Sequence, residues 1–289
     1  MPQQDSNIPC QDWTLRANGY APYDTPVNGA PLRYHVLGPV EAYHAGRWTS
    51  PRQAKCRSVL AVLLVNANQV VPAAVLRQQL WPLKAPQTAA KLLQNYIYQV
   101  RRALGDPHGR QICTRPSGYL LTAGRDDLDS DRFTALATAG HRALAEGRVE
   151  SAAGDLRRAL GLWRGPAFAD IEGVPAVTAE ASRLEECRLS AIDAWIEAEL
   201  ALGQHNWLVP AIETLVTAHP LRERLRAHLM LALYRTGRRA DALAVFHDLR
   251  RTLVDALGLE PGTEAQQMHT AILRDDPTVR VPAPGAVRG

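Results

Sequence analysis

Acidic residues are almost missing from one third of this chain. Between Pro31 and Arg125 there are 13 Lys and Arg but only two carboxylates, Glu41 and Asp106. The first 30 residues carry a net charge of −2 and residues 126–289 a net −5, so the overall +4 hides a sharply basic segment of +11. Such asymmetry points the basic segment at a polyanion. Arg outnumbers Lys by 30 to 3, a codon bias that carries no functional information.

Other absences narrow the field further. No stretch approaches the roughly 20 uncharged apolar residues of a membrane span, and the longest apolar run, Val59 to Val65, has the length of a helix interior. The N-terminus lacks the basic start and apolar block of a secretory leader, so the expected location is the cytoplasm, with no membrane partner. The four cysteines, Cys10, Cys56, Cys113 and Cys187, form no C-x-x-C pair and are read as reduced thiols. None of the nine histidines has another at i+3 or i+4, as a helical metal site would need; His108 and His205 fall in expected turns. Phosphate-binding, dinucleotide-binding, nucleophile-elbow and zinc-protease motifs are all missing. The expectation is therefore a protein that is not an enzyme and takes no cofactor and no metal. The pairs Asp126-Asp127, Glu185-Glu186 and Asp275-Asp276 are read as surface or helix-end charges.

What is present reads as two parts between two flexible ends, an arm over residues 1–30 and a Pro-bearing tail over 277–289. Leu32 to Tyr43 alternates loosely and predicts short strands. A helix is expected after Ser50-Pro51, with Ser50 as cap, followed by a second over Pro72 to Leu80. A loop from Trp81 to Gln87 leads to a third helix starting at Thr88 and stopping near Leu104-Gly105. Residues 111–115 and 119–121 flank Pro116-Ser117-Gly118 and predict a hairpin. Sheet, three helices and hairpin describe a winged helix-turn-helix over residues 31–125. From 126 to 276 the pattern is helical. Gly147, Gly203 and Gly237 mark similar turns, the last two 34 residues apart, the tetratricopeptide spacing. Aligned on these glycines, Leu156, Ile212 and Phe246 share one apolar position, as do Ala159, Leu215 and Leu249, and Leu144, Leu200 and Tyr234. The fold class is thus mainly α, a winged helix (α+β) followed by an all-α tetratricopeptide-like repeat domain.

The third helix carries the candidate chemistry. Leu93, Ile97, Val100 and Leu104 gather on one side of a helical wheel. Opposite them lie Lys91, Asn95, Tyr98 and Arg102, flanked by Thr88, Gln99 and Arg101, with no carboxylate among them. Asn and Gln can pair with adenine and Arg with guanine in a major groove. Thr114, Arg115 and Tyr119 on the hairpin, and Trp81 at the mouth of the loop, are candidates for phosphate contact.

Several blocks together resemble one known family: YHVLGPVE at Tyr34–Glu41, PRQAKCRSVLAVLL at Pro51–Leu64, LLQNYIYQVRRALG at Leu92–Gly105, TRPSGYLL at Thr114–Leu121, LWRGPA at Leu162–Ala167, and HPLRERLRAHLMLALYRTGR at His219–Arg238. In order over about residues 32–275, they resemble the Streptomyces antibiotic regulatory proteins. The resemblance implies an OmpR-type winged helix joined to a bacterial transcriptional activator domain. It implies an activator, expected to pair as a homodimer on tandem direct repeats of double-stranded DNA near the −35 region. It also implies recruitment of RNA polymerase holoenzyme, through the sigma factor and neighbouring subunits, at biosynthetic genes. Base reading would fall near Asn95, Gln99 and Arg101, phosphate contact near Trp81, Lys91, Thr114, Arg115 and Tyr119, and polymerase contact at Lys84. OmpR-type helices often have Arg where Gln99 stands, so its base preference does not carry over. No receiver-like or ATPase-like segment is read in the chain, so phosphorelay and nucleotide control are not expected. A repressor using the same surface, and a tetratricopeptide adaptor with a basic RNA- or protein-binding part, remain the alternatives.

Overall fold

The computed structural model describes residues 33–124 and 126–280. The expected arm at 1–30, and the tail beyond residue 280, lie outside the described residues.

Two three-stranded sheets frame the N-terminal helices. The first holds β1 (Tyr34–His35), β2 (Glu41–His44) and β3 (Arg47–Thr49) in antiparallel order 1-2-3. The helices α1 (Ala54–Val65), α2 (Ala73–Leu80) and α3 (Ala89–Ala103) follow, with β4 (Val70–Pro72) between α1 and α2. The second sheet, in the order β4-β6-β5, joins β4 to the hairpin strands β5 (Ile112–Arg115) and β6 (Gly118–Leu121). Gly118 is where β6 meets β4, and a Cβ there would overlap the Val71 carbonyl oxygen. Only glycine lets the strands approach this closely.

The core under this frame is aliphatic. Helix α1 buries Cys56 and every residue from Ser58 to Leu64, whereas α3 buries only Ala89, Leu93, Ile97 and Val100. Full burial of a leucine such as Leu60 or Leu63 is worth about 1.5–3 kcal/mol, so α1 is the structural post and α3 a half-solvated helix laid across it. The helix expected to be capped by Ser50 starts later, with Gln53 in the cap position. The Arg57 guanidinium takes the Pro51 and Arg52 carbonyls, which holds that segment outside the helix.

Beyond residue 126 the chain forms α4 (Asp129–Ala145), α5 (Val149–Leu160), α6 (Pro175–Ala201), α7 (His205–Ala218), α8 (Glu223–Arg235), α9 (Arg239–Leu257) and α10 (Thr263–Arg274). The glycines singled out by spacing, Gly147, Gly203 and Gly237, all adopt left-handed turns, with φ of +72°, +81° and +82°. Of the aligned apolar positions, Leu156, Ile212, Phe246, Ala159, Leu215, Leu249 and Leu200 are buried, while Leu144 and Tyr234 are half-buried. His205, expected in a turn, instead opens α7 and is buried. The tail expected to be flexible from Pro277 begins with a 3-10 turn over Pro277–Val279; Val279 is buried and its carbonyl accepts from Arg235 Nε.

By packing, the chain divides into two compact units. One contains the described residues up to Thr138 together with Arg157–Leu189; the other contains Ala139–Leu156 and the described residues from Ser190 onward. Within the first unit, residues of 127–138 and 157–176 pair with the backbone and side chains of the N-terminal strands and helices. The Asp127 carbonyl accepts from Arg33 and Tyr34 N–H. The buried Asp129 carboxylate accepts from the N–H groups of Val36 (2.8 Å) and Leu37 (3.1 Å). Asp170 takes the Val40 N–H and pairs with Arg57 of α1 at 2.7 Å. Arg164, Phe168 and Ala169 donate backbone N–H to Leu37, Val36 and Gly38, and Gln79 of α2 accepts from Ala176 N–H.

Candidate nucleic-acid interface

Helix α3 presents its polar face to solvent over its whole length. Thr88, Lys91, Asn95, Tyr98 and Arg102 are exposed, and the Arg102 guanidinium lies 6.0 Å from the Tyr98 ring centre. Gln94 is exposed on the same face and was missed by the wheel. It stands one turn before Tyr98, so its spacing already signalled it. Thr88 occupies the cap position with no side-chain cap bond, which leaves its hydroxyl available at the helix N-terminus. No acidic residue lies in the first turn of α3, so nothing there offsets the positive end of the helix dipole.

The two carboxylates of the basic segment are both engaged elsewhere. Asp106 is buried and accepts from the N–H groups of Arg110, Gln111 and Ile112 at 2.6, 2.9 and 2.9 Å, which fixes the start of the hairpin. Glu41 pairs with Arg164 at 2.6 Å. The positive charge of α3 and the hairpin is therefore not neutralised by acids of their own segment, and that is the condition for attracting a polyanion.

The remaining candidates separate into distinct positions. Arg115, at the end of β5, is exposed, and Tyr119 is half-buried opposite Thr114 in the hairpin register. Arg101 is half-buried and turned toward the hairpin. Its Nε and Nη2 donate to the Ile112 carbonyl at 3.0 and 2.6 Å, and Nη2 also reaches the Thr114 hydroxyl at 2.9 Å. It clasps β5 to α3 instead of pointing outward with Asn95. Gln99 is half-buried beside Cys56 of α1, whose thiol lies 3.4 Å from its Oε1. Trp81 is half-buried against Tyr96, with Lys55 Nζ 5.9 Å from its ring centre. Lys84 is exposed in the loop, next to a fully exposed Leu83 that the sequence reading did not single out.

Behind this face, burial sets the titration of the supporting groups. Desolvation pushes the Asp129 carboxyl up to about 6, against the backbone donors and Arg164 that favour its charge. Desolvation, reinforced by Arg164 and Arg132, lowers His35 to about 3. His35 is thus a neutral ring stacked on Trp48 at 3.4 Å between centres. Among the described residues no three metal-ligating side chains cluster, Cys56, Cys113 and Cys187 carry no disulfide, and no helix is long and apolar enough to cross a membrane.

Comparison with known proteins supplies a context for this geometry. The profile described as "Transcriptional regulatory protein, C terminal" matches residues 51–121, and "Bacterial transcriptional activator domain" matches residues 128–273. Regulatory protein DnrI of Streptomyces peucetius is 39% identical over 269 residues, covering 89% of this chain and 99% of DnrI. Regulatory protein AfsR of Streptomyces griseus is 35% identical over 89% of this chain, which spans only 26% of AfsR. A solved structure, Mycobacterium tuberculosis EmbR in complex with a low-affinity phosphopeptide, superposes with a TM-score of 0.81 at 34% identity, covering 85% of this chain and 66% of EmbR.

Proposed function

Since the chain belongs to the Streptomyces antibiotic regulatory protein family of transcriptional activators, we propose that it activates biosynthetic genes by binding tandem direct repeats of double-stranded DNA near the −35 region. In this reading residues 31–125 supply the DNA surface and 126–276 the activator part, acting in the cytoplasm. Helix α3 enters the major groove with Asn95, and the hairpin lies on the backbone with Arg115. The observation that carries the reading is the exposed, acid-free stripe of Lys91, Gln94, Asn95, Tyr98 and Arg102, in a segment whose own carboxylates are engaged elsewhere. Two copies pair on the repeats, and the loop carrying Leu83 and Lys84 meets RNA polymerase holoenzyme at the sigma factor and its neighbours. The full exposure of Leu83 supports a protein contact there, because an isolated apolar side chain gains from burial against protein and nothing from phosphate.

The test contrasts two positions after the recognised site has been selected from a random duplex library. Asn95→Ala should cost about 1–3 kcal/mol on that site and much less on scrambled duplex, because only a base contact carries sequence information. Arg115→Ala should weaken both duplexes alike and reduce the salt slope by about one phosphate contact. Equal weakening of both duplexes by Asn95→Ala would refute the major-groove placement, and equal affinity for RNA would favour the adaptor reading.

A further inference from the structure

Gln99 is the one outward-tending residue of α3 whose amide is tied from below. Cys56 is 1% exposed, one α-helical layer beneath α3, and its thiol lies 3.4 Å from Gln99 Oε1 and 3.7 Å from Gln53 Oε1. A thiol has a single hydrogen to give, and the shorter contact is to Gln99. Gln53 is exposed, so water serves its carbonyl, whereas Gln99 is half-buried. Burial raises the Cys56 pKa, which keeps the sulfur protonated and a donor. With the Gln99 carbonyl oxygen taken by the Cys56 thiol, its Nε2 makes no hydrogen bond to another described residue.

We infer that Cys56 is a positioning residue that makes Gln99 a donor-only reader of the base pair it faces. This rests on the reading of α3 as the groove helix. A free glutamine matches adenine by donating to N7 and accepting from N6, but an amide held with its oxygen inward offers N–H groups alone. Guanine presents two acceptors, N7 and O6, and thymine presents O4, whereas the adenine N6 amine would face another donor. The Gln99 base pair should therefore be read as guanine or thymine in preference to adenine.

The experiment is selection from a randomised duplex library by the full chain and by three variants, with melting temperature recorded for each. The position read by Gln99 is the one whose preference disappears in Gln99→Ala. In the wild type that position should favour guanine or thymine over adenine by about fivefold or more. Cys56→Ser, which keeps a donor, should retain the preference, and Cys56→Ala, which frees the carbonyl to turn outward, should narrow it to within about twofold. A wild-type preference for adenine there, or a Cys56→Ala profile identical to wild type, overturns the inference. So does a Gln99→Ala profile unchanged at every position; the Asn95-dependent position then still reports independently whether α3 reads the groove.

Discussion

Replacing Arg101 separates a clasp from a base reader. In the structure its guanidinium makes two bonds to the Ile112 carbonyl and one to the Thr114 hydroxyl, and Ile112 itself is fully buried. Hydrogen bonds to a charged group contribute about 1.5–3 kcal/mol net, and the half-exposed position of Arg101 places the expected loss in Arg101→Ala near the lower end, about 2 kcal/mol. For a protein of this size about 1 kcal/mol moves the melting temperature by about 2–4 °C, so a fall of about 4–8 °C is expected by calorimetry. Thr114→Val removes one of the three bonds and should cost less than half as much. The double variant should resemble Arg101→Ala alone, since the threonine bond is already gone. On DNA, a loosened hairpin should weaken selected and scrambled duplexes by similar factors. If Arg101→Ala melted like wild type and lost affinity only for the selected site, Arg101 would be reading a base and the clasp would be an incidental contact.

Titration supplies two further tests of opposite sign. Asp129 has a native pKa of about 6 against an ordinary 3.8. The native state therefore binds its proton more tightly, and the stability it confers is lost as pH rises from about 4 to about 6. Asp129→Asn should gain about 1 kcal/mol on wild type between pH 5 and pH 7, whatever its absolute cost, and a pH-independent difference in urea melts would contradict the burial argument. His228, buried and lowered to about 4, contributes stability that is present above pH 6.5 and lost as pH falls toward 4. His228→Leu should flatten that loss, by about 2 kcal/mol between pH 7 and pH 5, and an unchanged acid limb would show that the imidazole is not held neutral. Lys84→Glu and Leu83→Ser should leave affinity for the selected site within a few-fold and lower transcription in a reconstituted assay; equal loss of both would place the loop on DNA.

Local pattern reached some of this and could not reach the rest. Helix α3 was legible because Leu93, Ile97, Val100 and Leu104 repeat at helical spacing on an otherwise polar helix, and the hairpin because Pro116-Ser117-Gly118 interrupts two β-rich runs. The turn glycines were legible because left-handed backbone is where glycine has no competitor. Strands β3 and β4, at three residues each, are too short to show a period. Arg101 sits at the border of two helix faces, and only the position of β5 decides which way it turns. Asp129 and Asp170 look in sequence like ordinary helix-end or loop charges. Their role depends on which backbone N–H groups lie opposite, and neither charge counting nor periodicity carries that information. The same holds for residues 157–189, two helical stretches around the irregular segment 161–174, whose pattern says that they pack without saying against what.

That last feature bears on recombination between relatives. A shuffler would place the seam between the two matched profiles, at residues 122–127, and treat what precedes it as an exchangeable cassette. In this chain such a cassette arrives without the acceptors for Val36, Leu37 and Val40 N–H and without the carboxylate that pairs with Arg57. A graft of foreign specificity would inherit those acceptors from its host, so its success depends on whether the host keeps the counterparts of Asp129 and Asp170 at matching places. On the proposed reading of α3 as the groove helix, exchanging its outward residues alone, with the host's own frame left whole, avoids the seam entirely.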